Sequence, residues 1–229
     1  MSALAALAAA AATLGGWLFW RRREAGRARR AARRAYFDAV APHLAAVTTG
    51  IAPDGFARLN GQFEGRLLDL QAVPDALTFR KVPALWVLVS LPGAMPVEAT
   101  LDVMMRPTGH EPFSRFGGFG RPVAPPPGAP PGAAARSDDP ALLPDAAVLR
   151  PHLAMLEDPA VKELVISPKG LRVVFLAEEA DRARYLLFRE AEMGAAPVAP
   201  GRVLALARRL AALAADLEAA AATRRETTP

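Results

Sequence analysis

Apolar positions in this chain follow three rhythms, and each predicts a different kind of element. Met1 to Trp20 contains no ionisable side chain. As a helix that run is about 30 Å long at 1.5 Å per residue, which matches the hydrocarbon thickness of a bilayer. Its apolarity rests on Leu4, Leu7, Leu14, Leu18 and Phe19 with two tryptophans, since alanine fills most other positions. Trp17 and Trp20 fall where aromatic side chains sit at headgroup level, and arginines begin in the next turn. Residues 1–20 are therefore expected to form a transmembrane anchor. A cleavable leader would carry its charge before the apolar stretch, and here the charge follows it.

Residues 21–50 continue the helical rhythm as an Arg-rich juxtamembrane stalk. Arg21, Arg22, Arg23, Arg27, Arg29, Arg30, Arg33 and Arg34 crowd its first half. Arg23, Arg27, Arg30 and Arg34 recur at helical spacing, so they form one stripe that repels itself without counter-charge. Anionic lipid headgroups supply that charge, at about 1 kcal/mol per basic residue near the surface. Pro42 is expected to kink the stalk, whose apolar face holds Tyr36, Phe37, Val40, Leu44 and Val47, and Thr49-Gly50 to close it.

From Phe56 to Arg106 the period becomes two. Leu68, Leu70 and Ala72 alternate with Asp69 and Gln71. Val97, Ala99, Leu101, Val103 and Met105 alternate with Glu98, Thr100, Asp102 and Met104, the pattern of a strand with one buried face. Ala84 to Leu91 is apolar on both faces apart from Ser90, as a central strand is, between Pro83 and Pro92. Gly61 and Gly65 flank a tight turn or bulge. An antiparallel meander follows, and with it an α+β fold class: one domain over residues 51–225 and a frayed tail over 226–229.

Residues 117–137 are dominated by Pro, Gly and Ala, a composition that favours extended, solvated chain, and predict a flexible loop inserted in the domain. Leu142 to Leu156 suggests helical turns interrupted by Pro151. Lys162 to Ser167 and Leu171 to Leu176 enclose Ser-Pro-Lys-Gly and predict a hairpin. Residues 182–189 are ambiguous between strand and helix, and their alternation favours a strand. The third rhythm closes the chain: Val203, Leu206, Leu210, Leu213 and Leu217 recur at three, four, three and four, one apolar seam on a helix. That seam is expected to cover its own sheet, with weak self-association through a short coiled coil as the competing use.

Charge sharpens this picture. The formal net charge is +5, yet Arg21 to Arg34 alone carries +7, and the remaining 20 basic and 22 acidic residues leave the rest at −2. No basic, nucleic-acid-binding core is implied, and nucleic acid is not an expected partner. Lys/Arg bias orients membrane segments, so the expectation is a single-pass protein with its N-terminus out and its C-terminal domain in the cytoplasm. Heavy use of Ala, Arg, Pro and Gly suits a GC-rich bacterial genome, which makes the membrane a bacterial inner membrane.

Candidate chemistry is sparse. Zero cysteines exclude disulfides, thiolate metal sites and cysteine nucleophiles. No phosphate-cradling loop, paired helical histidines or Gly-x-Ser-x-Gly elbow occurs. Phe113 to Arg121 interleaves three phenylalanines with two arginines and is expected to plug the edge of the core. His110, Glu111, Asp138, Asp139, Asp145 and His152 are the polar residues most able to converge on a metal or act as acid and base. Solvated loop positions and helix N-termini account for them more simply, so no catalytic, metal or cofactor residue is assigned and no cofactor is expected. The function expected is non-catalytic binding or scaffolding on the cytoplasmic face. Competing expectations are a membrane-attached enzyme with its site under the 113–139 loop, and anionic lipid or nucleic-acid binding through the Arg21–Arg34 stripe.

Overall fold

A computed structural model of the chain describes residues 3–76, 82–188, 191 and 193–227. The fold is α+β, one large antiparallel sheet with packed helices. Helix α1 (Ala3–Arg34) is followed by strands β1 (Ala45–Ile51), β2 (Ala57–Phe63), β3 (Arg66–Asp75), β4 (Ala84–Pro92), β5 (Leu101–Met105), β6 (Arg121–Val123) and β7 (Ala133–Ser137). Then come α2 (Ala146–Leu153), β8 (Val161–Ser167), β9 (Gly170–Glu179), α3 (Arg182–Phe188) and α4 (Pro200–Thr227). Among the described residues the strands form one sheet in the order β1-β2-β3-β4-β9-β8-β5-β7-β6. Every neighbouring pair is antiparallel.

Two hairpins set the register. Between β2 and β3, Glu64 and Gly65 both take positive φ, 49° and 77°, the pair of left-handed residues a two-residue turn requires. Between β8 and β9, Ser167 pairs with Gly170 across Pro168-Lys169, as the Ser-Pro-Lys-Gly motif predicts. Gly170 is needed there because a Cβ would stand 2.4 Å from the carbonyl oxygen of Leu91.

One sheet face carries the main core. Leu59, Leu70, Val87, Val89, Val173 and Phe175 meet Val203, Leu206, Leu210, Leu213 and Leu217 of α4, with Leu149 and Leu153 of α2 and Tyr36, Phe37 and Val40 beside them. Each large side chain so buried contributes about 2 kcal/mol of apolar transfer. The seam on α4 is thus spent on the chain's own sheet. Ion pairs clamp α4 to the β2–β3 hairpin: Arg66 donates to both Glu218 oxygens at 2.9 and 2.7 Å, and Arg208 donates to Glu64 at 3.0 Å.

Several expectations need correction. Among the described residues no helix is long and apolar enough to cross a membrane. The apolar part of α1 is short and alanine-rich, and it runs without a break into the arginines. The helical stalk ends at Arg34: Ala45–Ile51 forms β1, because β2 offers that segment a pairing edge. Only Leu101 to Met105 of the alternating 97–105 segment is strand, although Val97 and Ala99 are buried. Residues 117–137 are not free chain, since β7 pairs with β5 along its whole length and β6 pairs with β7. Helix α2 runs through Pro151 rather than stopping at it. Residues 182–188 are helical, not a strand, and Arg189 lies outside the described residues. Helix α4 continues to Thr227, and residues 228–229 of the tail lie outside the described residues.

Candidate functional site

The sheet's second face is polar along one line. Register places Asp69, Ser90, Arg172, Val165, Asp102 and Arg136 side by side on six successive strands, β3, β4, β9, β8, β5 and β7. Over β8 and β9 this face is roofed by the excursion that follows β5. Arg106 turns the chain with φ of 47°, and its carbonyl accepts a 2.6 Å bond from Lys162 Nζ. Glu111 then staples the loop by accepting from the Thr108 amide at 2.6 Å and hydroxyl at 2.9 Å. Phe113 and Phe116 drop onto Leu88, Met104 and Val174 to make a second, smaller core. Phe113 lies 4.7 Å from Trp86, centroid to centroid. Arg136 closes the far end of the roof by donating to the carbonyls of Phe119 and Gly120.

Beneath this roof opens a cleft of about 320 Å³. Its walls are Pro112, Phe113, Phe119 and Val165, and Asp102, Ser114 and Arg172 supply its polar surface, with Thr100 and Arg115 also lining it. A shallower depression of about 220 Å³ adjoins it and shares Val165 and Arg172. Glu163 lies fully buried beside the cleft, where its carboxylate accepts from the Ser114 hydroxyl and, at 3.0 Å, from Arg172 Nη2. Burial pushes its carboxyl above the ordinary range, against the pull of Arg172 and Ser114.

Asp102 is 5% exposed, and its Oδ1 has no hydrogen-bond partner among the described residues. Burial first, and the Glu163 charge second, push its carboxyl up to about 8, with Arg172 and Arg136 opposing. At neutral pH it is therefore a protonated acid, able to donate as well as accept. Arg172 Nε is likewise buried without a partner among the described residues. The floor thus offers one neutral acid and one fixed cation, both with hydrogen-bonding capacity to spare.

The residues singled out in the sequence have other tasks. His110 is exposed on the loop. Asp138 accepts from the Thr100 amide at 2.7 Å, and Asp139 from the Ala141 amide at 3.0 Å. Asp145 caps α2 by accepting from Ala147 at 2.8 Å, and His152 pairs with Asp216 at 2.8 Å. Among the described residues no group of three or more His, Asp or Glu could hold a metal ion. Phe113 and Phe116 do not plug the edge of the main core as expected but build the separate small core on the sheet's other face, and Phe119 is half-buried at the cleft. Of the eight arginines, Arg33 is turned into the domain, donating to the Asp54 carbonyl at 3.2 Å and lying 5.0 Å over the Phe56 ring. Arg21 stacks 5.2 Å over Trp17, and Arg27, Arg30 and Arg34 line one hollow with Asp38.

Asp102, Glu163 and Arg172 are not among the candidate residues the sequence offers. Alternation made Asp102 look like an ordinary solvent-facing residue, and only the Phe113-x-x-Phe116 spacing hinted that this face is covered.

No protein-family model matches the chain, and no curated protein sequence matches it. Among solved structures, the crystal structure of the mycobacterial trehalose monomycolate transport factor A, TtfA, is matched at 11% identity and a TM-score of 0.34, over 74% of each chain. A superposition of that quality establishes neither a shared fold nor a shared role.

Proposed function

We propose that the protein is a non-catalytic binding domain held on a membrane by α1. One observation carries this reading: among the described residues nothing covers the large apolar side chains of α1. Leu7, Leu14, Trp17, Leu18, Phe19 and Trp20 are all 47–73% exposed. So large a contiguous apolar surface is normally buried in lipid or in a partner. The arginines in the following turns favour lipid, since they suit anionic headgroups.

The proposal requires the apolar turns to lie in hydrocarbon; a single-pass crossing is its stronger form. In the single-pass form Lys/Arg bias would put the domain on the cytoplasmic side, of an inner membrane if the source is bacterial. Flotation with vesicles containing anionic lipid tests it. Full-length protein is expected to rise with the vesicles and a variant lacking residues 1–20 to stay below; full-length protein left below overturns the reading.

A second reading, an enzyme with its site under the 113–139 loop, is favoured by the meeting of Asp102, Glu163 and Ser114 at the cleft. Turnover that disappears in Asp102→Asn would put this reading first.

A further inference from the structure

We propose that the cleft beneath Phe113 and Phe119 binds a small organic carboxylate, with the ligand's anion seated between Asp102 and Arg172 and its apolar body against Phe113, Phe119 and Pro112. This inference rests on the reading of the domain as a binder and is independent of how α1 meets a membrane.

The polar floor selects the charge. Arg172 directs Nη2 at Glu163 and keeps Nε buried without a partner among the described residues. Asp102, on the strand next but one, is 95% buried with Oδ1 unpartnered in the same sense. A carboxylate brings two acceptor oxygens, one for an Arg172 N–H and one for the acid proton of Asp102. A cationic ligand would meet Arg172 and Arg115 at once. The walls select the remainder, because a cleft of about 320 Å³ with two phenylalanines and a proline fits an aryl or short alkyl group.

The groups facing Asp102 are Glu163 from β8, Arg172 from β9, Arg136 from β7 and Glu111 from the roofing loop. Because Asp102 holds its proton up to about pH 8, binding should weaken when that proton leaves. Between about pH 6.5 and about pH 9.5 the protonated fraction falls roughly thirty-fold, and apparent affinity falls with it.

The test titrates the full-length protein in mild detergent with benzoate, octanoate and benzamide, following ligand relaxation by NMR. Saturable binding of benzoate or octanoate is expected near neutral pH, with benzamide at least about ten-fold weaker, one lost charge-assisted bond. Tighter octanoate would indicate a fatty acid drawn from lipid, and tighter benzoate a free aromatic acid; both fit the assignment. Asp102→Asn, the isostere of the neutral acid, should bind as well at about pH 9.5 as at about pH 6.5. Arg172→Lys keeps a cation opposite Glu163 and should still weaken binding about ten-fold. No saturable binding of either acid, benzamide binding as tightly as benzoate, or an unchanged pH profile in Asp102→Asn would each overturn the proposal. A flotation failure would leave it standing, and its own failure would leave the membrane reading standing.

Discussion

Arg172 on β9 donates a 3.0 Å bond to Glu163 on β8, and it does so from a half-buried position to a carboxylate with no exposed surface. A buried charge of this kind is costly once its partner is removed, typically by 3–5 kcal/mol. Arg172→Met should therefore lower unfolding free energy by about 3 kcal/mol, read from the urea midpoint. The double variant Arg172→Met/Glu163→Leu should recover most of that loss. A double variant as unstable as the single one would show that the ion pair is not the cause.

Stability should fall with rising pH in the wild type. An unfolded aspartate loses its proton near 3.8, whereas folded Asp102 keeps it to about 8. Between those values the folded state holds the extra proton, so its contribution is complete below about pH 4 and lost by about pH 8. Glu163, also raised, acts in the same direction. Glu218, lowered by its bonds from Arg66, acts in the opposite sense, its contribution fading as pH drops through the carboxylate range. Asp102→Asn should remove a slope on the order of 1 kcal/mol per pH unit, measured by denaturant melts across that window.

The parts of this fold legible in the sequence are those where a local pattern and its tertiary setting agree. Ser167 to Gly170 carries its own turn chemistry, and the Val203 to Leu217 seam marks one helix face for burial, which the sheet supplies. Ala45–Ile51 misleads because its edge-strand state comes from pairing with β2, which no local residue announces. Pro and Gly in residues 117–137 read as free chain, yet β7 is held by β5 and by the Arg136 bonds to Phe119 and Gly120. The cleft was hidden for a related reason. Asp102, Glu163 and Arg172 lie far apart along the chain, and only cross-strand register brings them together.

Gly120 tests whether that excursion is a folded roof. Its φ is 48°, and a Cβ there would stand 2.1 Å from the carbonyl oxygen of Ser137. Gly120→Ala should cost about 2 kcal/mol and raise hydrogen exchange at Ala133 to Ser137. A flexible spacer would tolerate the change with exchange at those amides unaltered.

The most direct measurement of the central claim uses the tryptophans of α1. In a Trp86→Phe background only Trp17 and Trp20 remain to emit, since the chain has three tryptophans. On addition of vesicles with anionic headgroups their emission should shift to the blue, and lipids brominated along the acyl chain should quench it. Emission that stays at its aqueous wavelength and ignores the brominated chains would contradict the account.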